Sequence, residues 1–174
     1  TVRDGKAVFN VVGLGAGKYP VTVSYAGDGN FTTATANAEF DVTPINTEMN
    51  VVATNVTYGQ NATVTVTVNK GVTGTVSITV NGKTQNVNIL NGKASWTVAG
   101  LAAGSCTVTV NYAGNANFTA ASASAAFTVA KIAPGMTVDI KTDNAGGNAN
   151  ITVNLNNKAT GQVNITVNGA SHLV

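Results

Sequence analysis

Apolar and polar residues alternate one for one through much of the chain, most plainly in ATVTVTV (62–68), TVSITV (75–80) and SCTVTVNY (105–112). A period of two puts every second side chain on one face of a strand, so each run offers one face to a core and the other to water. The pattern predicts strands at roughly 47–54, 61–69, 74–81, 83–90, 92–99, 104–112 and 122–130. Seven short strands separated by turn signals fit a two-sheet β-sandwich. Asn81-Gly82 is a two-residue hairpin signal, because a type I′ turn needs positive φ at both central residues, and Asn91-Gly92 repeats it. Alternation also names a core: Val64, Val66, Val68, Val76, Ile78, Val80, Val87, Ile89, Ala94, Trp96, Val98, Cys106, Val108, Val110, Tyr112, Ala125, Phe127 and Val129. Leu101, out of phase after Gly100, is expected to plug one end.

The same pattern is written twice. Asp4 to Ile45 returns as Asn91 to Ile132, with more than half of the positions identical and no gap, at an offset of 91 − 4 = 87. The same offset carries Met49–Gly82 onto Met136–Gly169. A fixed period of this size implies an array of small domains, each long enough for its own modest core. The expected organisation is the second half of a repeat at 1–45, a complete repeat at 46–132 and the first half of another at 133–174. Residues 1–45 should hold three strands, Lys6 to Val12, Tyr19 to Tyr25 and Ala36 to Thr43, and residues 133–174 the first three of a repeat and the start of a fourth. The connections Thr43-Pro-Ile-Asn46 and Lys131-Ile-Ala-Pro134 are short and contain proline, which favours a semi-rigid line of domains.

Val174 corresponds to Val87 and Thr1 to Asn88, so the last residues lead in register into the first. Two expectations fit. The favoured one is a window cut from a longer periodic chain. The other is head-to-tail association, with 133–174 of one copy completing 1–45 of another. Either way, a half left alone would expose an apolar face and a row of unpaired edge groups.

Composition narrows the class. Charged residues make up 9% of the chain, against roughly 25% in an ordinary domain. The net charge of +2 comes from scattered residues and gives no basis for a nucleic-acid partner. No run approaches the roughly 18 apolar residues of a membrane span, so no membrane insertion of this segment is expected. The single cysteine, Cys106, has Tyr19 as its counterpart, which excludes a repeated disulfide framework.

Candidate chemistry is sparse. His172 is the lone histidine, with Gln85 as its counterpart, and no H-x-H, C-x-x-C or D-x-D-x-D spacing occurs. No catalytic residue, metal site or cofactor is therefore expected. Cys106 fits a small core residue, and Asp28 and Asp4 fit turn formation by an Asx side chain. Tyr112 and Tyr25 should cap the core while their hydroxyls find backbone partners. Trp96 and Phe9 should fill equivalent core positions, and Phe118 and Phe31 should cover the sandwich end. Asn30, Asn55, Asn61, Asn117, Asn150 and Asn164 begin Asn-x-Ser/Thr sequons and are candidate N-glycosylation sites. Asn30 and Asn117 share one repeat position in a predicted loop.

Four motifs carry a resemblance: G-T-V-x-I-x-V-N-G-K at Gly74–Lys83, N-G-K-A at Asn91–Ala94, L-x-A-G at Leu101–Gly104 and Y-x-G-[DN]-x-N-[FY] at Tyr112–Phe118. Together they resemble the bacterial-type immunoglobulin-like repeat, group 3-like, found in tandem in surface and adhesin-like proteins such as those of methanogenic archaea. The family's common Asp after the motif's glycine is Asp28 in the first copy and Asn115 in the second. The resemblance implies an all-β array of seven-stranded Ig-like sandwiches, acting without catalysis as an extracellular stalk, fibre or filament at the cell surface. Its partners would be neighbouring identical repeats, or chains head to tail. The alternative is an adhesive module that recognises glycans or a host or cell-surface protein through its loops; a third is an appendage of a larger secreted enzyme.

Overall fold

The computed structural model describes residues 1–156 and 158–174, and among them there is no helix. The chain forms two compact units, Thr1–Ala130 and Lys131–Val174.

The first unit opens with a two-stranded antiparallel ribbon, β1 (Gly17–Tyr25) against β2 (Ala34–Val42). A β-sandwich follows, built from β3 (Met49–Ala53), β4 (Val56–Thr57), β5 (Ala62–Val68), β6 (Thr75–Val80), β7 (Lys83–Asn88), β8 (Lys93–Val98), β9 (Gly104–Tyr112) and β10 (Ala121–Ala130). One sheet has the order β3-β5-β8 and the other β4-β10-β9-β6-β7. The first strand expected from the sequence, 47–54, is β3, and β4 is a short additional strand after it. β3 pairs antiparallel with β5, and β4 crosses to pair parallel with β10. Asn55 lies at the crossing, where its Oδ1 accepts the Thr128 N–H at 2.8 Å.

The inner faces of both sheets meet in one core. Every position named by alternation is buried there except Val87, Trp96 and Ala125, which are partly buried and pack against it. Val64, Val76, Ile78 and Val110 are fully buried, each side chain stabilising the fold by about 1.5–3 kcal/mol relative to leaving it in water. Leu101 is buried as expected of a plug, and Phe118 covers the end. Ala62 and Val72 are further core residues: Ala62 continues the phase of β5, whereas Val72 sits in a loop where no periodicity marks it.

Two expectations about pairing need correction. Asn91-Gly92 does adopt positive φ at both residues, 52° and 75°, but the ladder it starts is a single Leu90–Lys93 bridge. Beyond it β8 leaves for β5, with Ala94 and Val98 in the core, while β7 stays with β6. Asn81-Gly82, at 46° and 83°, makes the full hairpin. Second, residues 6–12 form no strand; the segment carries only the Arg3–Lys6 bridge of the Asp4-Gly5 turn. Its counterpart β8 is held by β5, and among the described residues 6–12 has no such neighbour.

The second unit consists of two hairpins, β11 (Thr137–Thr142) with β12 (Ala149–Asn154) and β13 (Asn164–Val167) with β14 (Ala170–Leu173). β13 and β14 are joined by Asn168-Gly169, with φ of 48° and 80°. Most of their apolar residues, Val138, Ile140, Val167 and Leu173 among them, are exposed.

Candidate functional site: the aromatic-glycine loop and the repeat junction

The motif Y-x-G-[DN]-x-N-F occurs at Tyr25–Phe31 and Tyr112–Phe118, and both copies close the same loop. Asp28 Oδ1 accepts the backbone N–H groups of Asn30 (2.8 Å) and Phe31 (3.0 Å). Asn115 Oδ1 accepts those of Asn117 (2.9 Å) and Phe118 (3.0 Å). This is the expected Asx turn, and an amide oxygen serves it as well as a carboxylate. The glycine before it has no substitute. Gly27 and Gly114 have φ of 85° and 83°, and a Cβ on Gly114 would stand 2.8 Å from the Ala120 nitrogen and 2.9 Å from the Phe118 oxygen.

The tyrosine before the loop differs between copies. Tyr112 is buried and its hydroxyl donates to the Thr73 carbonyl at 2.9 Å, the backbone partner expected for it. Tyr25 is exposed and donates instead to Asp28 Oδ2 at 2.7 Å. That bond, with the Asn30 and Phe31 N–H groups, holds the Asp28 carboxyl below its ordinary range and raises the Tyr25 hydroxyl above its own. Phe9 and Phe31, expected to be a core residue and an end cover, are both exposed. On the ribbon itself Tyr19 stacks on Phe40, ring centroids 5.4 Å apart.

The loop of the second copy also touches what precedes the sandwich. Asn117 Oδ1 accepts the Ala16 N–H at 2.8 Å. The connection 43–47 is zipped along the loop: Ile45 N–H donates to the Asn117 carbonyl (2.8 Å), and Thr119 N–H donates to the Ile45 carbonyl (3.0 Å). Thr47 donates from its hydroxyl to the Thr119 carbonyl (2.6 Å) and from its N–H to the Thr119 hydroxyl (3.0 Å). Thr47 is a buried polar residue whose hydrogen bonds are satisfied by this loop alone.

With this geometry in place, the comparison with protein families is decisive: residues 49–131 match the model of the bacterial Ig-like domain (group 3). Residues 49–131 are a bacterial Ig-like domain. The match spans β3 to β10, the whole sandwich. No curated protein matches the sequence. Bacterial Ig-like domains are structural or binding modules, commonly extracellular or at the cell surface, and typically non-catalytic.

The remaining candidate residues fit an Ig-like frame. Cys106 is buried in β9 with a free thiol, which accepts from Asn81 Nδ2 at 3.2 Å. His172 is exposed on β14. Lys70 is exposed in a turn, and Lys83 and Lys93 are exposed at the first positions of β7 and β8. No cluster of three His, Cys, Asp or Glu residues that could hold a metal occurs among the described residues, and no helix is long and apolar enough to cross a membrane. The six sequon residues Asn30, Asn55, Asn61, Asn117, Asn150 and Asn164 are all exposed. The hydrogen bonds of the sequon residues Asn55 and Asn117 to Thr128 and Ala16 have no signal in the hydrophobic pattern.

Proposed function

We propose that this chain is a non-catalytic segment of a cell-surface stalk, fibre or filament of an adhesin-like protein, in which Ig-like repeats act as stiff spacers. The observation that carries this reading is the zipped connection at 43–47. A tether free to swivel leaves its backbone groups to water, whereas here Ile45 and Thr47 bond to residues 117–119 and Asn117 reaches back to Ala16. Surface glycosylation at the exposed sequons belongs to the same proposal. Small-angle scattering from proteins with increasing numbers of the 87-residue repeat tests it. Stiff spacers give a maximum dimension that grows in proportion to repeat number; growth near the square root, as for a flexible chain, contradicts it. The adhesive alternative rests on the loop at 113–118, which the sandwich holds rigidly. Clear binding of the sandwich on a glycan array would favour it over the spacer reading.

A further inference from the structure

Several apolar residues left exposed or half-buried on residues 1–45 and 133–174 fall, when 87 is added or subtracted, on core positions of the sandwich. Val21 and Val23 match Val108 and Val110, and Phe40 matches Phe127, all three buried. Ile165 and Val167 match Ile78 and Val80, also buried. The first set belongs to one part of a sandwich and the second to the part packed and paired with it. We propose that these two faces are the halves of one interface and that its occupant is a second copy of this chain: residues 133–174 of one copy close the sandwich left open at residues 1–45 of the next.

The sandwich at 49–130 fixes how the halves meet. There β6 pairs antiparallel with β9, Ile78 opposite Val110 and Val80 opposite Val108. Shifted by one period, β13 pairs with the free edge of β1, Ile165 opposite Val23 and Val167 opposite Val21. β5 pairs with β8, Val64 opposite Trp96, so β12 pairs with residues 6–11, Ile151 opposite Phe9. This gives the unpaired segment 6–11 the neighbour it lacks and converts it to a strand. Tyr25 acquires the counterpart of its partner as well: Tyr112 donates to the Thr73 carbonyl, and the residue one period after Thr73 is Thr160, so Tyr25 changes from Asp28 to Thr160. Neither of the two Thr47 bonds is reproduced, because Pro134 stands at its position and has neither an N–H nor a hydroxyl.

Each copy offers one half of each kind, so the contact is heterologous and propagates to a ring or an open filament. Its readout is mass, which is independent of the stiffness that tests the spacer reading. Light scattering of the full chain across concentration should show mass rising above 17.4 kDa. Val23→Asp and Ile165→Asp lie outside the complete sandwich. Each should return the chain to monomer mass and leave the unfolding transition of residues 49–130 in place. Mixing the two variants should restore a single contact, from the intact 133–174 half of V23D to the intact 1–45 half of I165D, and stop at twice the chain mass. A circular permutant that runs 133–174 and then 1–132 holds both halves in one chain and should be monomeric with a second cooperative unfolding transition. A wild-type chain that stays monomeric at every concentration, association that survives both substitutions, or a mixture that does not pair would overturn the proposal.

Discussion

Val110 and Val23 are the same residue at the same repeat position, yet Val110 is 0% exposed and Val23 is 59% exposed. Their strands are equally well formed. β9 pairs with β10 from Gly104↔Val129 to Tyr112↔Ala121, and β1 pairs with β2 from Gly17↔Val42 to Tyr25↔Ala34, the same register shifted by 87. A hairpin of adjacent strands is local and needs nothing else to set its register. Burial comes from an opposite sheet, which β9 has in its sandwich, whereas among the described residues β1 pairs with β2 alone. β8 and its counterpart at 6–11 carry the lesson further. β8 depends on β5, far away in sequence, and the strand is absent where no such partner is present.

This contrast can be broken most forcefully in the core. Ile78→Ala should destabilise the sandwich by about 2–5 kcal/mol, through lost burial and the cavity left behind. Its counterpart Ile165→Ala should change the same transition by no more than about 0.5 kcal/mol in dilute chain. Denaturant unfolding of both variants compares them directly, and equal losses would mean that residues 133–174 already share a core. Next in size is Gly114→Ala, which forces a Cβ into backbone at positive φ and should cost about 1–3 kcal/mol, visible as a lower Tm. Gly27→Ala meets the same local clash, with the Phe31 oxygen 2.7 Å away, and should leave that Tm alone.

Tyr112→Phe removes one hydrogen bond from a buried hydroxyl and should cost about 0.5–1.5 kcal/mol by thermal unfolding, whereas Tyr25→Phe should leave the sandwich transition unmoved. The smallest effect is a local pH response. The Asp28 carboxyl is held below its ordinary range, so its bonds to the loop persist above that range and are lost as the pH falls through the lowered value. The Asn115 loop has no such group. Amide shifts of Asn30 and Phe31 should move in acid while those of Asn117 and Phe118 stay put, and Asp28→Asn should abolish the difference.

What could be read in the sequence follows the same division. The strands of the sandwich other than β4, most of its core and the Asn81-Gly82 turn are encoded by neighbours two residues apart or by a dipeptide, and these were legible. So was the Asx turn, since Asp28 and Asn115 bond only to residues two and three ahead. The passage of β4 to the other sheet was not legible, because it depends on Asn55 meeting Thr128, 73 residues away. Val72 joins the core from a loop with no period to announce it. The Asn117–Ala16 contact spans 101 residues and joins two exposed loops. Residues 6–12 show the opposite case: the alternation of a strand is present, but alternation specifies only which face would be buried and cannot supply a partner.

Hydrogen exchange measured as a function of chain concentration tests most directly the claim that the other half, not the strand itself, decides burial. Amides of β9 around Val108 and Val110 should be protected to the same degree at every concentration. Those of β1 around Val21 and Val23 should exchange rapidly on the edge facing away from β2 in dilute chain and become protected as copies associate. Protection of that edge equal to β9 in a chain shown to be monomeric would contradict the account.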